Sequence, residues 1–298
     1  MLTLLLKNLL RAELVSYPRK VGHIVSGRSG GVKQRGLFLT DSVMIRSRRN
    51  SPLCCASMPV NVPEIEEAAR RLRSAPPSEI VTWAMHRFGN RLSIASSFSV
   101  EDCVIIDLAM KAAPAEVRVF ALDTGRLPDE TYLTAERVRM KYGIEIAWFF
   151  PERATVEKLI RLKGLYSFRD SLDERHECCG IRKVEPLGRA LADREAWMTG
   201  LRNEQSVTRT DTPEIEIDRA HGNIAKVSPL VRWTMADVRA YAKEHSVPVH
   251  PMHDRGYPSI GCAPCTRAIK PGEHPRAGRW WWEDPDNKEC GLHLPQTS

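Results

Sequence analysis

From about residue 63 onward, the apolar positions of this 298-residue chain switch between two spacings. In PEIEEAARRLRS and SEIVTWAMHRFG they follow the helical period. RLSIAS is a short apolar run of strand length, and it leads through SFSVED into the helical CVIIDLAMKAA. VRVFALDTG reads as a second strand ending in a turn. PDETYLTAERVRMKYG starts with acids and ends with bases, as a helix dipole favours. IEIAWFF is a third strand, ATVEKLIRLKG the next helix, and AWMTG a fourth strand. TPEIEID and NIAKVSPL read as a hairpin or edge pair, and TMADVRAYAKEHS as a helix capped by Thr234. Beyond it the chain is loop-like and rich in Pro and Gly. Strands alternating with helices specify an α/β fold, a mostly parallel sheet flanked by helices, with a loop-rich C-terminal tail. Ligands bind such sheets beyond the carboxyl ends of the strands. Ser96–Asp102 and Asp123–Arg126 lie at such ends.

Charge sharpens the domain picture. The whole chain carries +7. Residues 1–57 hold ten Lys/Arg and two acids, hence +8; the remainder holds 34 basic and 35 acidic residues, hence −1. The basicity therefore belongs to the leader, and the body offers no general nucleic-acid surface. The leader, MLTLLLKNLLRAEL followed by a Gly-, Ser- and Arg-rich run, reads either as a transit peptide or as a disordered or over-extended start before Met58. A secretory signal fits badly, because Lys7 and Asn8 break the apolar stretch. No apolar run approaches the ~20 residues of a membrane span. Three regions follow: an extension over 1–57, an α/β domain over 58–270 and a tail over 271–298.

The cysteines bring in the chemistry. Cys178 and Cys179 are adjacent in ERHECCGIRK; Cys262 and Cys265 form a C-x-x-C in SIGCAPCTRAIK; Cys290 stands near the end in KECGLH. Two thiol pairs far apart in sequence can close on one metal centre. Adjacent cysteines suit neither a disulfide framework nor a standard zinc finger, so an iron–sulfur cluster is preferred to four-sulfur zinc, and a reducing cytoplasm to secretion. Arg182 and Lys183 would offset the negative charge of such a centre. Cys290, with Lys288 and His293 near it, is either an incidental cysteine or a nucleophile activated by positive charge. Cys103 begins an apolar helix and reads as core; Cys54 and Cys55 fall in the leader. His176, His250, His253 and His274 carry no ligand pattern.

Three polar segments remain. The serines of Ser96-Ser97-Phe98-Ser99 sit between strand and helix, where backbone N–H groups face an anion; the same serines are ordinary helix caps. Asp123-Thr124-Gly125-Arg126 is either a capped turn or a contact for ribose or base. Arg202, Gln205, Ser206 and Arg209 in GLRNEQSVTR form a polar strand end suited to phosphate, or a solvated surface run.

Together, CCGIRKVEPL, the GCAPC pair and KECGLH, supported by SSFSVED, LDTGRLPDETY and GLRNEQSVTR, resemble the assimilatory sulfonucleotide reductases, and among them the bacterial-type adenylylsulfate (APS) reductases. The resemblance covers essentially residues 60–293. It implies an adenine-nucleotide alpha-hydrolase-like fold and reduction of APS to sulfite and AMP. It implies a 4Fe-4S cluster on Cys178, Cys179, Cys262 and Cys265, and Cys290 as the nucleophile that carries an S-sulfo group, with His293 beside it. Ser97, Ser99 and Thr124 would contact the nucleotide. Lys183, Arg202, Arg276 and Arg279 would meet its charged groups. The paired glycines of the ATP pyrophosphatase loop are missing from SSFSVED. The chain stops five residues after His293, so thioredoxin or a glutaredoxin-like protein is the expected reductant; a homo-oligomer is compatible with the sequence. Reductases of the 3′-phosphorylated nucleotide (PAPS) commonly lack both cysteine pairs. The alternatives are a PAPS reductase, a cluster-bearing tRNA thiolase and a cluster-bearing regulator. The thiolase needs an SGGxDS loop that is absent, and the regulator needs a basic body.

Overall fold

Six strands of the computed structural model, which describes residues 60–205 and 212–284, pair into one sheet. They are β1 (Leu92–Ala95), β2 (Val119–Leu122), β3 (Ile146–Phe149), β4 (Ala196–Met198), β5 (Ile215–Asp218) and β6 (Ile224–Val227), in the order β3-β2-β1-β4-β6-β5. Every neighbouring pair is parallel except the edge hairpin β5–β6. Ile94 lies opposite both Val119 and Met198, and that register sorts the side chains into two layers. Leu92, Ile94, Val119, Ala121, Ala196 and Met198 face the larger core. Phe120 and Trp197, one residue out of step, face the smaller one, as the two-residue period of a strand requires.

Eight helices are described: α1 (Val62–Arg71), α2 (Pro77–Phe88), α3 (Val100–Ala112), α4 (Asp129–Tyr142), α5 (Arg153–Lys163), α6 (Leu172–Cys179), α7 (Glu185–Leu191) and α8 (Met235–Glu244). Residues of α1, α2, α3 and α8 fill the larger core, and Leu187, Ala190 and Leu191 of α7 cover the other face. In α3, Val100 to Ala109 are all buried. Burial on every side makes α3 the central pillar, its buried acids Glu101, Asp102 and Asp107 each meeting hydrogen-bond donors, and Cys103 is core as its sequence position indicated. The thiol of Cys103 is pushed far up by burial, with Asp102 and Glu101 adding to it. Thr234 caps α8 in a full capping box with Asp237.

The structure departs from the sequence pattern in two places. First, α3 begins at Val100, so Glu101 and Asp102 stand in its first turn and not in the preceding loop. Second, residues 172–191 carry no helical apolar pattern, yet α6 runs through a π-helical turn at Gly180–Val184 directly into α7. Ser171 caps α6, its hydroxyl accepting the Glu174 N–H at 3.2 Å. Its buried face is Arg175, Cys178 and Cys179. The leader 1–57 and residues 285–298 lie outside the described residues. Residues 271–284 do not stand apart as a tail; Trp280 among them is fully buried. Among the described residues no helix is long and apolar enough to cross a membrane.

Asp107 ties α3 to α4 and α8. It accepts from Tyr142 at 2.9 Å, from Tyr241 at 2.8 Å and from Lys111 at 2.8 Å. Burial raises its pKa, but these donors outweigh burial and hold the carboxyl below its ordinary value. A depressed folded-state pKa stabilises above the unfolded value of about 3.9, and that stabilisation is lost as pH falls. Urea midpoints measured between pH 6 and pH 3 are expected to fall less steeply in Asp107→Asn than in wild type.

Candidate active site

Two adjoining cavities lie at the carboxyl ends of β1, β2 and β4. The sheet order reverses between β1 and β4, and open α/β sheets bind ligands at such a point. The larger cavity measures about 510 Å³. Residues 96–99 after β1, Thr124 after β2, Thr199–Arg202, Glu204 and Gln205 after β4 and Pro258–Cys262 line it, with Pro275, Arg276, Arg279 and Trp280. All seven residues that the sequence marked for the nucleotide (Ser97, Ser99, Thr124, Lys183, Arg202, Arg276 and Arg279) lie in this one wall.

The smaller cavity is lined by Cys178, Cys179, Cys262 and Cys265 with Arg126, Arg175, Arg182 and Lys183. The four thiols are buried with Phe168, Leu159 and Trp280, and none is in a disulfide. Lys183, Cys262 and Trp280 line both cavities, so the two sites share a wall. Burial pushes the Cys178 thiol up against the pull of Arg182 and Arg126. It pushes Cys265 up to about 12, Cys262 adding to the rise while Lys183 and Arg279 oppose it.

The donor set fits a metal–sulfur group. The side chains of Arg182 and Trp280 both line the small cavity, and Arg182 Nε and Trp280 Nε1 are buried donors without a hydrogen-bond partner. Such orphans are costly unless a bound group brings acceptors. Among the described residues no His, Cys, Asp or Glu side chains gather closely enough to hold a single metal ion. Four thiols round one small cavity are a donor set that an iron–sulfur cluster or a four-sulfur zinc ion would accept.

Local chemistry explains the arrangement. After β2 the chain turns at Gly125, whose φ of +70° suits glycine. Asp123 accepts the Gly125 N–H at 2.7 Å and the Tyr132 hydroxyl at 2.9 Å. The buried Thr124 accepts the Cys262 thiol at 3.2 Å on its hydroxyl and Arg182 Nη1 at 2.6 Å on its carbonyl. Arg279 stacks over Trp280 at 4.6 Å and lies so close to Gly261 that any side chain there would clash. Arg175, fully buried, donates to both carboxylate oxygens of Glu283 at 2.7 and 2.9 Å and sits 4.5 Å from the Trp280 ring. That pair fastens residues 280–283 over the helix that carries Cys178.

The loop after β1 differs from its sequence reading. The Ser97 N–H and hydroxyl both donate to Asp102 Oδ2 at 2.7 Å, so these donors are committed within the protein. Burial lifts the Asp102 pKa to about 6; the Ser97 donors pull it down and Glu101 pushes it up. Ser99 stands at the N-cap of α3, yet its hydroxyl makes no capping bond. Phe98 sits at φ +59°, a conformation that costs a non-glycine residue about 1 kcal/mol or more. Such strain is often stored at functional loops. Arg202 also differs. Its Nε donates to Glu101 at 3.0 Å and its Nη1 to Glu204 at 2.9 Å, so the guanidinium is not poised as a free phosphate fork.

Several residues of the site had no sequence signal. His253 donates from Nδ1 to the Tyr257 carbonyl at 2.9 Å, and its Nε2 accepts the Val100 N–H at 3.4 Å. These two bonds fix a neutral ring that joins the start of α3 to the segment leading to Cys262. Arg175 and Glu101 likewise find partners only through the fold. Cys290 and His293, with Ser206 and Arg209, lie outside the described residues.

Comparison with known proteins follows the same lines. The model of the phosphoadenosine phosphosulfate reductase domain matches residues 91–268. An adenosine 5′-phosphosulfate reductase of Burkholderia cepacia is 53% identical over 69% of this chain and 81% of its own length. One from Allochromatium vinosum is 49% identical over 67% of this chain and 77% of its own length. A phosphoadenylyl-sulfate reductase of Candida auris, solved as a phosphate complex, superposes with a TM-score of 0.59 at 28% identity, covering 72% of this chain and all of its own.

Removing one partner of a buried pair leaves an uncompensated charge and costs about 3–5 kcal/mol. Arg175→Met is expected to lose stability on that scale in urea unfolding. It should also speed alkylation of Cys178, Cys179, Cys262 and Cys265, read residue by residue by mass spectrometry.

Proposed function

Because the chain belongs to the phosphoadenosine phosphosulfate reductase family, sulfur-group oxidoreductases, we propose that it reduces adenosine 5′-phosphosulfate to sulfite and AMP in sulfate assimilation. One observation carries the reading. A quartet of buried thiols shares a wall with a nucleotide-sized cavity, and the cations Lys183, Arg276 and Arg279 line that cavity. APS presents a phosphate and a sulfo group at one end and adenosine at the other, and the cavity is polarised in the same sense.

Cys178, Cys179, Cys262 and Cys265 would hold a 4Fe-4S cluster, which supplies a fixed charge distribution beside the substrate. Lys183, lying between the two cavities, would bind the sulfo–phosphate end and stabilise the charge that develops there. Arg276 and Arg279 would fix the same end, and Ser99 and Thr124 would contact the nucleoside. Ser97 acts through Asp102 by holding the shape of the loop.

The Cys290 thiolate attacks the sulfur of the sulfo group. An S–S bond forms, the S–O bond to phosphate breaks, and AMP leaves with the electron pair. His293 stands three residues from that thiol in sequence and would support its ionisation. A dithiol protein of the thioredoxin or glutaredoxin type then attacks Cys290 Sγ and expels sulfite. Its second thiol resolves the mixed disulfide, so the dithiol supplies both electrons. Net, one APS and one dithiol give sulfite, AMP and one disulfide.

The test incubates the purified full chain with APS, a thioredoxin system and no ATP, and assays sulfite. Sulfite without ATP is expected, and its absence from iron-replete protein rejects the reading. Cys290→Ser should abolish sulfite formation. Lys183→Ala should lower kcat/KM for APS about 10²–10³-fold, the scale for one electrostatic donor to a transition state, while iron and sulfide contents stay at wild-type levels. Unchanged turnover in Lys183→Ala would remove that residue from the mechanism.

A further inference from the structure

The wall above β4 is built with its charge already spent. Arg202 is almost wholly buried, and Glu101 is buried beside it. Arg202 Nε and the Gln205 side-chain amide both donate to Glu101 Oε1, each at 3.0 Å. Arg202 Nη1 donates to Glu204 Oε2 at 2.9 Å, and the same oxygen accepts the Met235 N–H at 3.1 Å. Glu101, Arg202, Glu204 and Gln205 all line the larger cavity. This stretch of wall holds one cation against two carboxylates.

The opposite end of the cavity has the reverse sign. Thr124 at the end of β2 and Lys183, on the wall shared with the thiol cavity, line it there, and Arg276 and Arg279 line the same cavity. Strands β2 and β4 flank β1 on opposite sides, so their ends stand about 10 Å apart. A nucleotide whose sulfo group lies on the Lys183 side must therefore extend its adenosine toward Glu101, Arg202 and Glu204.

We infer that Glu101 is a specificity-determining residue: by engaging Arg202 it withholds that cation from substrate and turns the β4 wall against a nucleotide bearing a 3′-phosphate. The inference deepens the reading of the cavity as an APS site and rests on it. A phosphate monoester carries about −1.5 to −2 charges at neutral pH. In a wall largely shielded from water its repulsion by carboxylates is much stronger than in solvent. Arg202 cannot turn to meet the phosphate, because leaving Glu101 would strand a buried carboxylate. A 3′-hydroxyl is neutral and meets no such barrier. Glutamine at position 101 keeps the shape and both hydrogen bonds but loses the charge. Arg202 would then be offset only by Glu204, whose side chain is half exposed and screened.

Two measurements on the purified full chain test this. One is kcat/KM for sulfite release from APS and from PAPS. The other is calorimetric binding of AMP and of adenosine 3′,5′-bisphosphate, which needs no turnover. Glu101→Gln is expected to move the PAPS-to-APS ratio toward PAPS by about tenfold, the scale of one hydrogen bond to a charged group. Bisphosphate binding relative to AMP should strengthen likewise and weaken with added salt. Glu101→Gln/Arg202→Met should reverse both gains. A ratio within twofold of wild type in folded Glu101→Gln overturns the inference, and so does a gain that survives the loss of Arg202. Should Glu101→Gln not fold, Glu204→Gln at the rim should shift both ratios the same way by about threefold, and no shift overturns it. Wild-type protein that makes no sulfite from APS rejects the functional reading instead, and the two binding ratios still decide the role of the wall.

Discussion

Thr124 is the point on which both cavities depend. Its hydroxyl accepts the Cys262 thiol and its carbonyl accepts Arg182, while its own side chain lines the larger cavity. It can do this only because β2 ends there and Gly125 turns the chain at a positive φ. The sheet therefore sets the position of the thiol quartet directly. Cys262 arrives from a loop 138 residues later, and Arg182 from the helix that carries Cys178 and Cys179. A small error at this turn would misplace the thiols and the nucleotide wall together, since one wall serves both.

Packing around the quartet follows from the cost of burying sulfur and charge together. Burial in this pocket pushes the Cys178 and Cys265 thiols toward their neutral form. Arg126, Arg182 and Lys183 around the same cavity favour the ionised form that a metal requires. The lid over them is equally constrained. Trp280 lies between Arg175 at 4.5 Å and Arg279 at 4.6 Å, and Glu283 neutralises the first of these. The segment around Trp280 is thus held down by a cation–aromatic stack, one buried ion pair and backbone bonds of Arg267 to Gly278 and of Trp280 to Cys265.

This explains what the sequence could and could not disclose. The strands and most helices were legible because aliphatic residues repeat with the right period, and β1, β2, β3 and β4 lie where the apolar runs placed them. Helices α6 and α7 were not, because LDERHECCGIRKVEPLGRAL buries Cys178, Cys179, Arg175 and Arg182 where a pattern search looks for Leu or Val. Gly180 and Pro186 look like breaks, yet the chain stays helical through both, with Gly180 opening the π-helical turn and Pro186 standing just after it at the start of α7. The residues gathered at the cavity were legible through motifs. Their partnerships were not: Glu101 meets Arg202 across 101 positions, and Arg175 meets Glu283 across 108. Local sequence carries no record of a pairing that only the fold creates, so Arg202 looked like a phosphate ligand and Ser97 like a free donor.

The division of labour proposed among the sulfurs rests on burial. Cys103 lies in the core of α3, and Cys178, Cys179, Cys262 and Cys265 are buried around the small cavity, so every cysteine among the described residues is enclosed. A nucleophilic thiol needs access to its substrate and then to an external dithiol, together with a thiolate stabilised by positive charge. Burial opposes both needs in Cys103 and Cys265, whose thiols are driven upward. A sulfur committed to a metal centre cannot also leave to meet a second protein. In the reaction proposed above, the reacting thiol is therefore none of these five. Cys290, to which the proposed reaction gives that role, stands six positions beyond Asp284 and lies outside the described residues.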